Sequence, residues 1–234
     1  MARWTRAIRA LPFKTGRVLD LGCAFGFSSR MLASRGYQTV GMDASPAYIA
    51  RAKRAHPQGI YLLAPAEAVP LPDADFDGVI FLDVLEHVND ERSAIFEVAR
   101  LLKPGGTLVL SVLHHGLFWR LDSLNLYQKW VRWTHHGLPP PEIGMEQSHR
   151  HYSLEQLQAM LGQRFTIQRV MRTGLGLAEL VNLPLLVLCR WLLGWEWLYQ
   201  IVHYAYFTIY LAEDVAPLGS LGYHMMVVAV RSDG

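Results

Sequence analysis

Hydrophobic positions in the first half of the chain alternate between short continuous runs and helical spacing. Residues 18–21 form the first run and Phe76–Leu82 a later one, and runs of this length rich in aliphatic and aromatic residues predict buried strands. Between them, Pro46–Ala55 has a helical pattern, with Ser45 as the expected N-cap. Strands that alternate with helices at short spacing predict βαβ units, a parallel sheet and right-handed crossovers.

The whole pattern predicts an α/β fold with seven strands. The predicted strands are 18–21, 39–42, 60–63, 76–82, 107–112, 165–170 and 223–230. We expect a Rossmann-like, doubly wound sheet that is mostly parallel, with an antiparallel last strand. Residues 1–234 are long enough to form a single domain around a substantial core.

The regular alternation stops after the fifth predicted strand. Residues 114–151 have little strand character, and we expect them to form a lid or substrate-binding region. Residues 175–221 are strongly apolar and aromatic, and we expect them to form a helical insertion between the last two strands. In that insertion Glu196, Gln200 and His203 follow a spacing of i, i+4, i+7, which predicts one narrow polar strip along a helix.

Three interpretations of the apolar insertion remain open. Tryptophan and tyrosine at this density are typical of membrane–water interfaces, which favours contact with a membrane surface or a lipid substrate. An additional helical layer on the sheet, or a homodimer interface, would also bury apolar residues. Arg190, Glu196 and Pro184 argue against a membrane-spanning segment, and no stretch of about 18 residues is free of charge.

The first residues of the chain predict a short, basic, amphipathic helix. Trp4, Ile8 and Leu11 share one face of it, and arginines lie between them. This pattern favours a helix that caps the edge of the domain over one that touches a membrane.

Charge and cysteine content narrow the class of protein. The formal net charge is +2, which gives no indication of a nucleic-acid-binding surface. Cys23 and Cys189 are the two cysteines, and so few indicate a reducing, cytoplasmic location rather than a disulfide framework. An interfacial insertion would place the protein at the inner face of the membrane.

The turn after the first strand carries the clearest chemistry. A strand that ends in a glycine turn before a helix presents backbone N–H groups to a small ligand. Phe27 stands where a P-loop needs lysine, and Ala24 replaces the second glycine of a dinucleotide-binding turn. Asp20 lies near the tip of the strand, and Asp43 follows Gly22 by about 20 residues, the spacing of an acid that binds ribose hydroxyls. These residues favour a nucleoside with an amino-acid tail, whose carboxylate would meet the N–H groups of the turn.

Four segments of the chain together resemble the class I S-adenosylmethionine-dependent methyltransferases that act on small molecules and lipids. The matching segments are 18–26, 41–45, 76–88 and 102–108. The resemblance implies the cofactor S-adenosylmethionine, with Asp20 and the turn at its methionine portion, Asp43 at both ribose hydroxyls and the Leu82 carbonyl near its ammonium group. The residues implied to contact the cofactor are Asp20, Gly22, Cys23, Ala24, Gly26, Asp43, Ala44, Ala66, Glu67 and Leu82.

Two positions depart from the family pattern. Ala24 stands where relatives usually have glycine, and its methyl group has a mild effect only where the local φ is negative. Pro65 stands where relatives often carry an acid for the adenine amino group. A backbone contact from Ala66 or Glu67 would replace that acid, and the affinity would be lower.

The sulfonium cofactor of this family is an activated methyl donor, so alignment of the acceptor supplies much of the rate. A base helps when the acceptor is a hydroxyl. The candidates are His114, His115, His149 and His151, because imidazole titrates near neutral pH, although one or two of them could simply bond backbone groups. No accompanying acid cluster or cysteine spacing indicates a metal site.

We therefore expect methyl transfer to a hydroxyl, amine or carbon of a hydrophobic acceptor, such as a membrane lipid, a prenylated quinone precursor or a polyketide-like compound. A soluble small-molecule O-methyltransferase, with the insertion as a homodimer interface, is an alternative. A non-catalytic S-adenosylmethionine-binding protein that acts as an assembly partner is another.

Overall fold

A computed structural model describes residues 2–117, 119–137, 149–213 and 219–232. The backbone divides into two compact units. The sheet unit comprises Arg3–Val112, Ser153–Val170 and Met226–Gly234, and the helical unit comprises Met1–Ala2, Leu113–Tyr152 and Met171–Met225. The predicted lid region and the predicted apolar insertion both fall within the helical unit.

The fold is organised around a seven-stranded sheet. The strands are β1 (Arg17–Leu21), β2 (Gln38–Asp43), β3 (Ile60–Leu63), β4 (Phe76–Leu82), β5 (Leu102–Leu113), β6 (Phe165–Thr173) and β7 (His224–Arg231). Their order is β3-β2-β1-β4-β5-β7-β6, with β7 antiparallel to β6 in an otherwise parallel arrangement. The predicted fold class, strand number and antiparallel last strand are confirmed.

The centre of the sheet brings two acids to neighbouring strand ends. β1 pairs in parallel with β2 on one side and β4 on the other, and Asp20 lies opposite Gly41. Asp43 is the last residue of β2. The chain order reverses between β1 and β4, and in open α/β sheets this switch point is where ligands bind, beyond the carboxyl ends of the strands.

Eight α-helices accompany the strands in the described part of the chain. They are α1 (Ala2–Arg9), α2 (Phe27–Ala33), α3 (Pro46–Ala55), α4 (Glu91–Leu101), α5 (Ser123–Thr134), α6 (Leu154–Leu161), α7 (Leu177–Leu185) and α8 (Glu196–Glu213). Their starts follow from local chemistry. Ser45 caps α3 by accepting a hydrogen bond from the Tyr48 N–H at 3.3 Å, and Ser153 and Gln156 form a capping box at α6.

Helix α1 packs on the sheet unit through its apolar face. Ile8 and Leu11 are buried, and the Trp4 ring meets the Phe27 ring edge-on, with 5.7 Å between centroids. Arg3 is also buried and forms an ion pair with Asp83, directly after β4. These contacts favour the edge-capping interpretation of this helix, because its apolar face is used within the unit.

The helical unit has its own core. Tyr127 of α5 packs with Leu186, Cys189 and Tyr199, all of which are buried. Pro184 lies near the end of α7 and lacks an N–H group, and a π-helical turn, Leu186–Leu192, follows it. None of the helices within the described ranges combines the length and hydropathy that crossing a bilayer demands.

Candidate functional site

The turn between β1 and α2 requires glycine at two positions. Gly22 and Gly26 have φ angles of +77° and +75°, a region that other residues rarely adopt. A Cβ atom at Gly22 would come within 2.1 Å of the Val84 side chain, and one at Gly26 within 2.6 Å of the Tyr61 hydroxyl. The backbone at these two positions therefore packs so closely against the Val84 and Tyr61 side chains that only glycine fits.

Ala24 adopts a less favourable backbone conformation than the sequence analysis assumed. Its φ is +44°, so the condition for a mild effect is not met, and the left-handed conformation costs roughly 1–2 kcal/mol. The Ala24 N–H donates to Asp43 Oδ2 at 2.9 Å. This hydrogen bond helps to hold the strained residue and joins the turn to the end of β2.

Most N–H groups of the turn are engaged within the protein. The Gly22 and Cys23 N–H groups both donate to the Met42 carbonyl, at 2.7 and 2.9 Å, and the Gly26 N–H donates to the Cys23 carbonyl at 2.8 Å. The expectation that these groups wait for the carboxylate of a ligand is therefore wrong for these three donors. They fix the turn against β2, and any ligand carboxylate would have to share them.

Asp20 is a buried carboxyl group whose partners are neutral. Ser28 and Ser29, in the first turn of α2, donate their hydroxyls to Asp20 Oδ2, the Ser28 bond being 2.7 Å long. Burial raises the pKa of Asp20 to about 6, although the two serine hydroxyls oppose the shift. A cation placed beside this group would favour its ionised form, which suits the ammonium group of an amino-acid tail.

Asp43 is half-buried, and backbone donors orient its carboxylate. Oδ2 accepts from the Ala24 N–H, and Oδ1 accepts from the Ser45 N–H at 2.8 Å. A carboxylate has about four acceptor positions, so both oxygens keep capacity for a diol. Ala44 is exposed directly beside it. The pair therefore fits the ribose of S-adenosylmethionine, the cofactor that the resemblance implies.

The remaining residues that the resemblance implies for the cofactor site lie in loops and at a strand end of the sheet unit. Glu67 Oε1 accepts from the Asn89 N–H at 2.7 Å, so this side chain anchors the loop before α4. Ala66 is buried and Leu82 is half-buried. Cys23 is buried, and burial raises the pKa of its thiol well above the usual value, so it remains a thiol at neutral pH. A role of these residues toward the cofactor stays a prediction.

In the helical unit, Asp122 lies at the centre of a buried polar cluster. Its Oδ2 accepts from His149 Nδ1 and from the Tyr223 hydroxyl, each at 3.0 Å. Its Oδ1 accepts from the Asn125 N–H at 2.9 Å and so caps α5. The Asn125 amide also bonds the His149 backbone twice, accepting from its N–H at 2.7 Å and donating to its carbonyl at 2.8 Å. His149 is therefore held at both its backbone and its ring.

The charge state of Asp122 suits this arrangement. Burial alone would raise its pKa, but the hydrogen bonds from His149 and from the Asn125 N–H, with the neighbouring imidazoles when they are protonated, outweigh burial, so the pKa lies below its usual value. An ionised Asp122 accepts the Nδ1 proton of His149 and so orients the ring. The sequence analysis did not single out Asp122, which the structure shows as the N-cap of α5.

The structure separates the other three predicted histidines by environment. His114 is buried and its Nδ1 bonds the Gly222 carbonyl at 2.8 Å, which is the backbone-binding role that the sequence left open. The His115 ring packs against Trp119 at a tilt of 44°, with 4.5 Å between centroids. Burial lowers the pKa of His151 to about 4, and its Nε2 lies 3.6 Å from Asp122 Oδ2. His151 is therefore neutral at physiological pH and a weak base.

A second buried acid, Glu179 of α7, lies in the same unit. Its Oε2 accepts from the Ser123 N–H at 2.8 Å, and the Asn182 amide donates to the Ser123 hydroxyl at 2.6 Å. Burial, with the charge of Asp122, raises the pKa of Glu179 to about 7. In the sequence, Glu179 is marked only as a single acidic residue within an apolar segment. Among the described side chains no cluster of His, Cys, Asp and Glu could hold a metal ion.

Comparisons with known proteins agree with the fold and the turn. A family model described as "Methyltransferase domain" matches residues 19–110. The chain is 38% identical over 108 residues to a ubiquinone biosynthesis O-methyltransferase of Cereibacter sphaeroides, covering 44% of each protein. It is 35% identical over 120 residues to a demethylmenaquinone methyltransferase of Renibacterium salmoninarum, covering 50% of each. The matched region thus spans about half the length, or less, of these relatives.

One solved structure shows the extent of the fold. An S-adenosylmethionine-dependent methyltransferase from Mesorhizobium loti aligns with 99% of this chain and 98% of its own, with a TM-score of 0.61 and 20% identity. The structural alignment extends over nearly the whole chain. The family model, by contrast, matches only residues 19–110, which contain the glycine turn. Residues 19–110 thus form a methyltransferase domain of the class I S-adenosylmethionine-dependent type, whose cofactor is S-adenosylmethionine.

Proposed function

We propose that the protein transfers the methyl group of S-adenosylmethionine to a hydroxyl oxygen of a hydrophobic, lipid-type acceptor. The observation that carries this proposal is the His149 ring, whose Nδ1 lies 3.0 Å from the buried Asp122 carboxylate, the arrangement by which a carboxylate orients an imidazole base. A base of this kind serves a hydroxyl nucleophile, which must lose a proton. Methylation of a carbon already activated as an enolate would not require it.

The chemistry divides between the cofactor and the side chains. When bound, S-adenosylmethionine supplies a methyl group on a positively charged sulfur. His149 would take the proton that the acceptor hydroxyl loses as it receives the methyl group, and Asp122 would stabilise the imidazolium that results. Asp43 would hold the ribose, so cofactor binding and proton removal would depend on different acids.

The apolar character of the acceptor is inferred from two kinds of support. The helical unit is rich in aromatic and aliphatic side chains, including Tyr127, Tyr199 and Trp191 in and around its core. Two relatives are named for ubiquinone biosynthesis and for demethylmenaquinone, which are quinone-type compounds. We therefore extend a hydrophobic acceptor to this protein as the substrate class.

An acceptor panel tests the proposal. Purified protein with isotope-labelled S-adenosylmethionine would be offered a phenol bearing a polyprenyl chain, the same phenol without the chain, and a prenylated naphthoquinol. We expect label on the phenol oxygen of the prenylated compound and little on its short form. Equal transfer to both phenols would instead favour a soluble O-methyltransferase. Calorimetry could show that the cofactor binds while no label reaches any of these acceptors or extracted membrane lipids. That result would favour a non-catalytic binding protein.

A further inference from the structure

Helix α8 exposes several of its apolar side chains beside its predicted polar strip, of which Gln200 is exposed and Glu196 and His203 are half-buried. Trp197, Ile201 and Tyr204 are 62%, 59% and 76% exposed, and their spacing of i, i+4 and i+7 places them on one face of the helix. Tyr199, on another face, is buried in the core of the helical unit. The helix therefore turns an aromatic and aliphatic ridge outward.

The predicted polar strip is largely used inside the unit. Glu196 forms an ion pair with Arg190 and accepts from the Gln200 amide at 2.8 Å. The half-buried His203 ring lies between the rings of Tyr199 and Tyr206, at centroid distances of 5.1 and 4.9 Å. Gln200 is exposed beside the ridge, whereas Glu196 and His203 are engaged with other side chains of the unit.

The ridge continues into the turn before α8. Leu192 and Trp195 are exposed there, and the Trp195 and Trp197 rings are nearly parallel, with centroids 6.1 Å apart. Tryptophan and tyrosine on an exposed apolar surface are typical of residues that sit at the level of lipid head groups.

Helix α5 adds positive charge to the same unit. Lys129, Arg132 and Trp133 follow a spacing of i, i+3, i+4, and all three are exposed, Trp133 to 83%. Among the side chains that the structure describes in the helical unit, no carboxylate is fully exposed: Asp122 and Glu179 are buried, and Glu196 is paired. The described outer surface therefore carries cations and apolar groups, and its partly exposed carboxylate, Glu196, is paired with Arg190.

We propose that the α8 ridge and the cationic face of α5 dock the protein on a bilayer surface that contains anionic lipid. The apolar side chains enter the head-group region, and Lys129 and Arg132 meet lipid phosphates. This partner explains both features, since a protein partner that covered the ridge alone would leave the positive charge of α5 without a role. The docking does not depend on the proposed reaction, because it needs neither cofactor nor acceptor.

Flotation of the full chain with lipid vesicles tests the proposal. Vesicles of phosphatidylcholine with phosphatidylglycerol should carry the protein upward, and vesicles of phosphatidylcholine alone should carry much less. The double variant W197S/I201S should reduce the bound fraction at least ~10-fold, since it removes two apolar side chains from the inserted surface. The matched control Ile60→Ser, at a side chain 56% exposed on β3, should float like the parent protein.

A charge-reversal pair tests the electrostatic half. K129E/R132E should lower binding to anionic vesicles by ~10-fold or more, since each basic residue contributes about 1 kcal/mol near such a surface. K53E/R54E changes the net charge equally on exposed residues of α3 and should have little effect. Calorimetry with S-adenosylmethionine verifies that every variant is folded.

Three results would overturn the proposal. The parent protein could remain at the bottom of the gradient with anionic vesicles. The parent protein could float equally well with neutral vesicles, and K129E/R132E could bind anionic vesicles as well as the parent does. These results would exclude anionic lipid as the partner. Analytical ultracentrifugation could show a dimer that W197S/I201S converts to monomer, which would make the ridge an interface between two copies of the chain.

Discussion

Asp20 in the sheet unit and Asp122 in the helical unit are buried alike, at 3% and 2% exposure, yet their pKa values move in opposite directions. Asp20 receives serine hydroxyls on one oxygen, and burial raises its pKa to about 6. Asp122 receives an imidazole, a phenol and a backbone N–H, and its pKa is lowered. Burial therefore does not fix the charge of a carboxyl group; the charge that its partners can carry decides it.

The difference matches the two tasks that we assign to the units. A carboxyl group that titrates near pH 6 can respond to a cationic ligand, because the ammonium group of the cofactor would favour its ionised form. A carboxylate that stays ionised can hold one tautomer of a histidine through the whole reaction. Substitutions of these acids should therefore affect cofactor binding and turnover separately.

The largest expected effect belongs to cofactor binding through Asp43. Asp43→Ala removes both carboxylate acceptors for the ribose diol, and the loss of two charge-assisted hydrogen bonds should weaken S-adenosylmethionine binding roughly a few hundred-fold. Calorimetry measures this directly. Asp122→Asn is the control and should bind the cofactor as the parent protein does; unchanged affinity in Asp43→Ala would refute the ribose assignment.

The next effect is on turnover through Asp122. Asp122→Asn keeps an N-cap for α5 but removes the acceptor that fixes the His149 tautomer, so the methylation rate should fall about 100-fold with cofactor affinity intact. The rate is measured with the acceptor identified from the panel. His149→Gln should give the same loss, without addition in the double variant. Full activity in either variant would indicate that alignment of the acceptor with the methyl donor is enough for catalysis and that no base is needed.

A smaller effect is the pH dependence of cofactor binding. Because the free Asp20 has a raised pKa of about 6 and a cationic ligand prefers its ionised form, affinity should rise about tenfold from pH 5 to pH 7 and then level off. Asp20→Asn should bind more weakly and show no such rise over this range. Calorimetry at a series of pH values decides the matter, and a flat profile for the parent protein would separate Asp20 from the ammonium group.

The last effect concerns the stability of the helical unit and not binding or turnover. The folded-state pKa of Glu179 is raised from 4.5 to about 7, so the protein holds this proton more tightly when folded and loses stability as pH rises through this window. Glu179→Gln removes that loss and should raise the free energy of unfolding at pH 8 by up to about 3 kcal/mol, with a smaller gain at pH 5. Thermal unfolding at both pH values measures it; an equal gain at both would indicate a packing effect instead.

The sheet unit could largely be predicted from the sequence because its signals are local. The glycine turn, the strand-end acid Asp43 and the N-cap Ser45 each depend on neighbours close in the chain, and the structure places them as expected. Ala24 is the exception in this region. Its positive φ follows from the hydrogen bond to Asp43, nineteen residues away, which no local pattern reveals.

The cluster around Asp122 could not be predicted in the same way. The sequence marked His149 only as one histidine among four, and the sequence analysis did not single out Asp122. Their contact spans 27 positions, and the Tyr223 hydroxyl reaches the same oxygen from 101 positions away. Which histidine acquires a carboxylate partner depends on how α5 and the segments before α6 and β7 come together.

The sequence by itself determined the family, the cofactor and the order of strands and helices, because hydrophobic period, glycine turns and caps act over a few residues. Tertiary structure alone decided which acids are neutral or ionised, which histidine is oriented and which face of α8 points outward. Packing of Tyr199 against Tyr127 turns Trp197 and Ile201 toward solvent. A helical pattern shows which residues share a face, but only the contacts of that helix show which face is buried.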